Sequence, residues 1–544
     1  MKAITRTMNI MLAGVALPLL AGCGANEIAS PGTGGDVIIN PPPSTPTPTP
    51  TPTPPEDGGV EPAGGCPTTT SDAGTISGPT GTWRVCNLPR ILSANTTLSK
   101  IPGLLYQLNG RVDVGCDGGF KAPTADAPVA SSTVGCTSAN GFAVNGAGQL
   151  TADTNVTLTI QPGVILIGGT GNSWLAVNRG NKINAVGTVD QPIIFTSRDN
   201  VLGINTDNSI GQWGGVVLMG RGKVTDCTTG SVAAGTCERQ TEGSADPAFF
   251  GGNDTAYNAG TMQYVQIRYS GFVLGANVEL QALTGEGIGS GTTLDFIQSH
   301  NSSDDGAEFF GGTLRMKHYI ATGADDDSLD ADTGVDAAVQ YALLIQRPGQ
   351  GDALMEIDSN GFEDDTPRQK LKVANFTAIQ NEVSSNNEAN DQGSILLRGN
   401  SDTVWVNGLI VTPNNECIRM NASGTTPATL EAFSVALNCA STKYIGSGDY
   451  TSADVAAMFG AGTNNNSSTY VSSLTAVFVN GVTETALVAS DPKDVSDFFD
   501  TTDYVGAVKD ANDDWYKGWT CNSSYAPFDD TENSDRSCTS LPTT

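Results

Sequence analysis

The chain predicts an all-β fold, a parallel β-helix solenoid with disulfide-braced caps, and three observations carry that reading. The first is a repeat. Residues 301–312 (N-S-S-D-D-G-A-E-F-F-G-G) and 323–334 (G-A-D-D-D-S-L-D-A-D-T-G) overlay without a gap, 22 residues apart. Asp304 then falls on Asp326, Asp305 on Asp327, Glu308 on Asp330 and Gly312 on Gly334; upstream, Leu294 meets Met316 and Ile297 meets Tyr319. A looser third copy at 351–361 places Asp352, Glu356 and Asp358 at the spacing of Asp326, Asp330 and Asp332. The second observation is the period itself, since a repeat of about 20–30 residues is one supersecondary unit stacked on its neighbour. The third is local: T-L-D-F-I-Q (293–298), L-R-M-K-H-Y-I (314–320) and V-Q-Y-A-L-L-I-Q (339–346) are short apolar or alternating runs parted by Gly, Asp and Asn turns. Helical repeats are longer and need helix-forming stretches, which are scarce here.

Residues 1–22 are expected to be an export signal. Lys2 and Arg6 supply its positive end, an apolar stretch follows, and Leu20-Ala21-Gly22-Cys23 closes it. That ending resembles a bacterial lipobox, which implies that Cys23 becomes a lipidated, palmitate-bearing N-terminus and the sole membrane attachment. Gly24 follows, with no Asp to retain the protein at the inner membrane, so the outer membrane is the expected address, on its periplasmic or its surface side. Residues 23–65 are expected to be a tether, whose Thr-Pro alternation favours extended polyproline II reaching roughly 40–50 Å.

Residues 66–150, with four cysteines and no period, are expected to form an N-terminal cap that covers the first coil's apolar core and free strand edges. The β-helix is expected over 151–440, beginning with V-T-L-T-I-Q-P-G-V-I-L-I-G (156–168) and continuing through W-G-G-V-V-L-M-G (213–220) and K-L-K-V-A-N-F-T-A-I-Q (370–380) to V-W-V-N-G-L-I-V (404–411). Residues 441–544 are expected to be a C-terminal cap, with Ser452 capping a short helix over 453–459. Trp515, Tyr516 and Trp519 then either plug the open end of the solenoid or form a glycan platform.

Of 11 cysteines, ten remain after Cys23, an even number in an oxidising compartment. The economical pairing joins sequence neighbours: Cys66 with Cys86, Cys116 with Cys136, Cys227 with Cys237, Cys417 with Cys439, and Cys521 with Cys538, the third pair clipping an insertion. The 27 basic residues less Lys2 and Arg6 leave 25 against 57 acidic ones, a mature net charge of −32. Such a surface repels nucleic acid and anionic polymers alike unless a cation bridges them.

Equivalent residues on successive coils lie roughly 4.8 Å apart, and positions i, i+4 and i+6 share one face of a strand. Asp304, Asp305 and Glu308, then Asp326, Asp327, Asp330 and Asp332, then Asp352, Glu356 and Asp358 are therefore expected to stack as rows. Carboxylates that close repel by roughly 3–4 kcal/mol per pair at an effective dielectric near 20. Three readings follow: a hard cation, calcium foremost, held by these ten residues; a solvated acidic face; or a catalytic carboxylate cluster.

The motifs Q-P-G-V-I-L-I-G, G-T-x-x-Q-P-I-I-F-T-S (187–197), W-G-G, D-D-G-A-E-F-F-G-G, D-D-S-L-D and Y-V-G-A-V…D-W-Y-K-G-W-T together resemble Gram-negative outer-membrane and surface lipoproteins with a right-handed parallel β-helix, pectin-lyase-like fold. That resemblance implies companions of outer-membrane nutrient receptors and no settled activity. N-S-S-D (301–304) with Asp326-Asp327 is also similar to polygalacturonase-like glycosidases, which implies Asp304, Asp326 and Asp327 as catalytic carboxylates. The likeness stops at the next coil, where Gly351-Asp352-Ala353 stands in place of G-H-G, and no R-I-K follows. The chain's two histidines, His300 and His318, precede the acidic segments. A lyase route needs a basic residue, and Arg347, Arg368 and Arg398 lie downstream with no motif selecting one. The leading expectation is a non-catalytic lipoprotein that binds a glycan, a nutrient polymer or a receptor. A polysaccharide hydrolase or lyase, or a purely structural envelope or adhesion protein, are the alternatives.

Overall fold

Every coil of the solenoid passes through two parallel sheets in turn. The computed structural model describes residues 59–543 except 170–171, 243–246, 273–278, 360–362, 384–392, 423–424 and 530–535. The expected signal, Cys23 and most of the tether lie outside them. Among the described residues one sheet has 15 strands and the other 11. The first includes Gly260–Arg268, Thr293–His300, Thr313–Thr322, Asp336–Ile345, Gln369–Ile379, Ser401–Thr412 and Thr429–Cys439; the second includes Leu283–Glu286, Ala307–Phe310, Asp330–Asp332, Met355–Ile357, Ile395–Leu397 and Ile418–Ala422. Successive strands of these are parallel, as coils of a right-handed β-helix require, whereas Ser71–Gly78 at the start of the first sheet pairs antiparallel with Gly81–Asn87.

The register comes from the apolar residues. Met262, Leu294, Met316, Val339, Val373, Trp405 and Ala432 pair in succession along the first sheet. All are buried, so a slip of one residue at any coil would turn this column outward. Leu294 against Met316 and Ile297 against Tyr319 are the pairings expected from the repeat. In the second sheet Gly285, Phe309, Ala331, Ile357 and Leu397 form the facing column. A Cβ at Gly285 would stand 2.5 Å from the Phe309 ring, so the large residue of one coil fits over the absent side chain of the last.

The first sheet bends at a residue with positive φ in each coil: Tyr264, Phe296, His318, Tyr341, Asn375, Asn407 and Ser434, with φ between 48° and 61°. The pairing steps over this residue, and four of the side chains stack outside the corner. Ring centroids are 4.4 Å apart for Tyr264 and Phe296, 4.1 Å for Phe296 and His318, and 4.7 Å for His318 and Tyr341.

Both ends of the solenoid differ from expectation. Parallel pairing begins within the expected cap, at Gly81–Asn87 against Leu104–Leu108, and Leu104–Leu108 pairs in turn with Ile165–Gly168. The β-helix thus starts well before residue 151, because the short buried runs around Val85-Cys86 and Leu104–Leu108 suffice for a coil without a visible period. At the other end Tyr444–Gly448 adds a last strand to the second sheet. The helix that covers this end is Ser452–Phe459, whose cap is Thr451 rather than Ser452. Thr451 has extended backbone and accepts from the Asp454 amide, while Asp454 accepts from the Thr451 amide, a reciprocal box that Ser452 cannot form. Val455 and Phe459 of this helix are buried in the main core.

Trp515, Tyr516 and Trp519 do not plug that end. The C-terminal segment runs back along the flank, where Trp519, Tyr516, Val505 and Ala507 are buried against Ile320, Leu343, Ile379 and Leu409. Trp519 meets Tyr264 and Phe296 edge-on, and Leu541 reaches Ile76, Ile165 and Ile194 near the other end. The stacked corner offers a continuous apolar edge, and the tail buries it. The five expected disulfides are all formed. Among the described residues no helix is long and apolar enough to cross a membrane.

Candidate functional site

The acidic repeats come together on the outside of the second sheet. In Ala307–Phe310 the side chains of Ala307 and Phe309 enter the core, which turns Glu308 and Phe310 outward. Glu308 pairs with Asp330 and Asp330 with Glu356, while Phe310 pairs with Asp332. The strand face thus carries Glu308, Asp330, Asp332, Glu356 and Asp358. Asp304, Asp305, Asp326, Asp327 and Asp352 do not continue that face: they stand in the turns that precede these strands, because a glycine or serine after each pair breaks the strand.

Turn and strand carboxylates converge in three overlapping groups. One oxygen from each of Asp304, Asp305 and Asp326 lies within 4.8 Å of the others; the same holds for Asp305, Glu308 and Asp330, and for Asp326, Asp327 and Asp352. That limit is the widest separation of two oxygens bound to one ion at about 2.4 Å, a calcium distance. Asp332, Glu356 and Asp358 complete the outward row without forming a further triad. Asp305 and Asp327 also stitch the coils, accepting from the amides of Asp327 at 2.9 Å and Ala353 at 2.8 Å.

The recess is closed on one side by the insertion that Cys227–Cys237 clips. Val224, Cys237, Ala248 and Phe250 pack on Trp174, Val217, Met219 and Phe310, and the same insertion brings in Arg239, Thr241 and Glu242. Asp304, Asp305, Glu308, Asp327, Asp330 and Asp332 are buried, whereas Asp326 is exposed at the rim. Burial, and then a carboxylate on the same or the next coil, pushes Asp304, Asp305, Glu308, Asp327 and Asp330 well above the usual carboxylate range. Burial raises Asp332 to about 7 and Glu356 to about 8, each partly offset by an arginine, Arg239 and Arg398 respectively.

Sequence reasoning missed Glu242, Glu279, Glu286, Arg239 and the role of Arg398. Glu286 precedes Phe310 in the outward column and is fully buried, accepting from Thr241 at 2.8 Å; burial lifts it to about 8. Its coil is two residues longer than the repeat, which hid it. Glu242 and Glu279 are both raised by burial and have no periodic signal. Of the three arginines weighed, Arg347 pairs with Asp325 at 2.6 Å and Arg368 with Asp402 at 2.7 Å. Arg398 alone stands in the recess, 2.8 Å from Asp358 and 3.3 Å from Glu356. Arg239 adds a contact at 3.8 Å to Asp332.

Neither histidine reaches this face. His300 is fully buried under the first sheet beside Thr322, and burial holds it well below its usual range. His318 stacks in the aromatic corner and contacts Asp295 at 2.7 Å. The oxygens of Asp304 and Asp326 also lie closer than the roughly 6.5–9.5 Å that seats a water between the carboxyl groups of an inverting glycosidase. Chemically, this arrangement is a recess of converging carboxylates with two guanidinium groups at its edge.

Residues 130–520 match the family model described as a pectate-lyase like beta helix domain. No curated protein matches the chain. Among solved structures, an alginate lyase from Paenibacillus sp. str. FPU-7 is similar at 11% identity, covering 55% of this chain and 92% of that one, with a TM-score of 0.24.

Proposed function

The chain belongs to the pectate-lyase-like β-helix domain family, and from that premise we propose that it is an outer-membrane lipoprotein, anchored through Cys23, that holds calcium on its acidic recess and through calcium binds an acidic polysaccharide. The observation that carries the reading is the set of three overlapping carboxylate triads on adjoining coils. A chain with a net charge of −30 repels an acidic glycan. A calcium ion takes six to eight oxygens, so one held by three protein carboxylates keeps positions for the carboxylates of a sugar acid. Arg239 and Arg398 at the edge favour the same ligand class, since guanidinium groups match carboxylates in pairs.

The test is binding of oligogalacturonate and oligoalginate by the purified protein in calcium and in chelator. Calcium-dependent binding that Asp330→Asn weakens supports the reading; equal binding in chelator overturns it, as does no binding in either condition. Palmitate labelling of the expressed protein, lost in Cys23→Ser, checks the anchor.

A second reading, a polysaccharide lyase, draws on Arg398. In that reading the acidic row would hold calcium, which would supply acidification of the proton beside the sugar carboxylate. Arg398, which Glu356 and Asp358 hold at the ladder, would serve as the basic residue a lyase needs once substrate carboxylates displace those partners. Ultraviolet absorbance of unsaturated sugar ends, lost in Arg398→Lys, would establish it. Reducing ends without unsaturation, lost in Asp326→Asn, would establish a hydrolase instead. Neither product leaves the binding protein.

A further inference from the structure

Five arginines of the described chain are buried: Arg111, Arg179, Arg221, Arg268 and Arg347. Four of them meet a carboxylate at 2.5–2.6 Å, namely Asp113, Asp117, Asp153 and Asp325. Arg268 is the exception. Only 2% of it is exposed, and among the described residues its partners are neutral: the Gln266 side chain, the Cys538 carbonyl at 3.1 Å and the Ser540 carbonyl at 2.9 Å. Those bonds occupy Nε, both protons of Nη1 and one of Nη2, leaving one Nη2 proton. A buried cation facing only carbonyl dipoles retains a desolvation penalty that a matching anion relieves. Burial alone pulls this guanidinium down to about 10.

Arg268, in the first sheet, lines a cavity of about 250 Å³ that shares no lining residue with the acidic recess on the second sheet. Lys100 and Arg536 line the same cavity. The Lys100 side chain lies over Gly163, where a Cβ would come within 3.0 Å of its Nζ. Arg536 is held from behind by Asp529 at 3.0 Å. Among the described residues the wall's only carboxylate is Asp190, which is exposed and forms no ion pair with the three cations. In a chain of 57 acidic and 27 basic residues, three cations around one small cavity is a local reversal of charge. The volume falls below the roughly 300–1,000 Å³ of pockets for drug-sized molecules, which limits the ligand to a small group.

We propose that this cavity, walled by Lys100, Arg268 and Arg536, binds one oxyanion of the carboxylate or sulfate type. The group arrives either as a free ion or as the acidic substituent of a sugar. It enters past Lys100 and Arg536, which are the more accessible, and takes the remaining Nη2 proton of Arg268. No reaction is implied; the cavity is a binding subsite on the flank where the C-terminal segment crosses the first sheet.

Calorimetric titration of the full protein with sulfate, and separately with galacturonate, tests the proposal. Chelator is present throughout, so the acidic recess contributes nothing through calcium, and chloride holds the ionic strength constant. Saturable one-to-one binding of at least one probe is expected. Arg536→Gln and Lys100→Gln, both at the surface, should each weaken it roughly tenfold, the effect of one charge-assisted hydrogen bond. Sulfate and galacturonate binding equally identifies a free-ion site, and tighter galacturonate identifies a sugar-borne group. Arg268→Gln should abolish binding; if it fails to fold, the two surface variants decide. No saturable binding of either probe, or binding unchanged in both surface variants, overturns the proposal and leaves the calcium reading untouched.

Discussion

Glu308 and Asp330 stand directly opposite each other on adjacent coils of the second sheet, both turned out of the core and both buried. Burial and then Asp330 raise the proton affinity of Glu308; burial and then Glu356 raise that of Asp330, while a side-chain hydrogen bond with Glu308 works the other way, as for two carboxyls that share a proton. Two carboxylates so placed need a proton or a cation between them, and their response to either is the most direct probe of the recess.

Calcium is expected to raise the melting temperature of the purified protein, and chelator to lower it. Asp330→Asn should abolish that shift while raising the midpoint in chelator, because it removes a buried repulsion along with a ligand. Differential scanning calorimetry of both proteins, with and without calcium, checks this; an unchanged wild-type midpoint rules the cation out.

The pH dependence has a definite sign. In the folded, calcium-free protein Asp332 titrates near 7 and Glu356 near 8, against about 4 in the unfolded chain. Between those values the folded state binds more protons, so stability is fullest below about pH 4 for these groups and is lost as pH rises through 7–8. Unfolding midpoints in urea, measured in chelator from pH 5 to 9, should fall. Calcium should flatten or reverse the slope, since it replaces the protons.

Trp519 is fully buried and closes the tail over the Tyr264–Phe296 corner. Trp519→Ala should cost about 3–5 kcal/mol, the usual loss for a buried aromatic. Limited proteolysis should then release the segment after residue 490 before the coils are cut. Simultaneous cleavage throughout would mean that the tail and the coils unfold as one.

The Cys521–Cys538 bridge closes 17 residues, and its loss should cost roughly 3 kcal/mol by loop-closure entropy. The double variant Cys521→Ser, Cys538→Ser is expected to shift the urea midpoint by that amount. It should also weaken sulfate or galacturonate binding, because the Cys538 carbonyl holds Arg268.

The coil-to-coil register was legible because a β-helix converts period into contact. Residues 22 apart become neighbours in an in-register sheet, so Leu294 on Met316 and Glu308 on Asp330 follow from counting. The disulfides were legible for a related reason, since each joins cysteines within one or two turns of chain. Counting failed where coil length changed. Glu286 lies on a longer coil, and the first coils, from Gly81 onward, have no shared motif.

Sequence by itself therefore determined the architecture, the pairing of the acidic rows and the redox framework, all of which rest on short or periodic separations. Only the tertiary structure decided which carboxylates are buried, that Asp304 and Asp326 stand in turns, and that Arg398 rather than Arg347 or Arg368 meets the ladder. It alone brought Arg239 and Glu242 over the recess, laid the tail along the flank, and set Arg268 against a carbonyl 270 residues away. Those contacts join segments with no common period, so they depend on how insertions and the C-terminal segment pack, and aperiodic packing leaves no spacing to read.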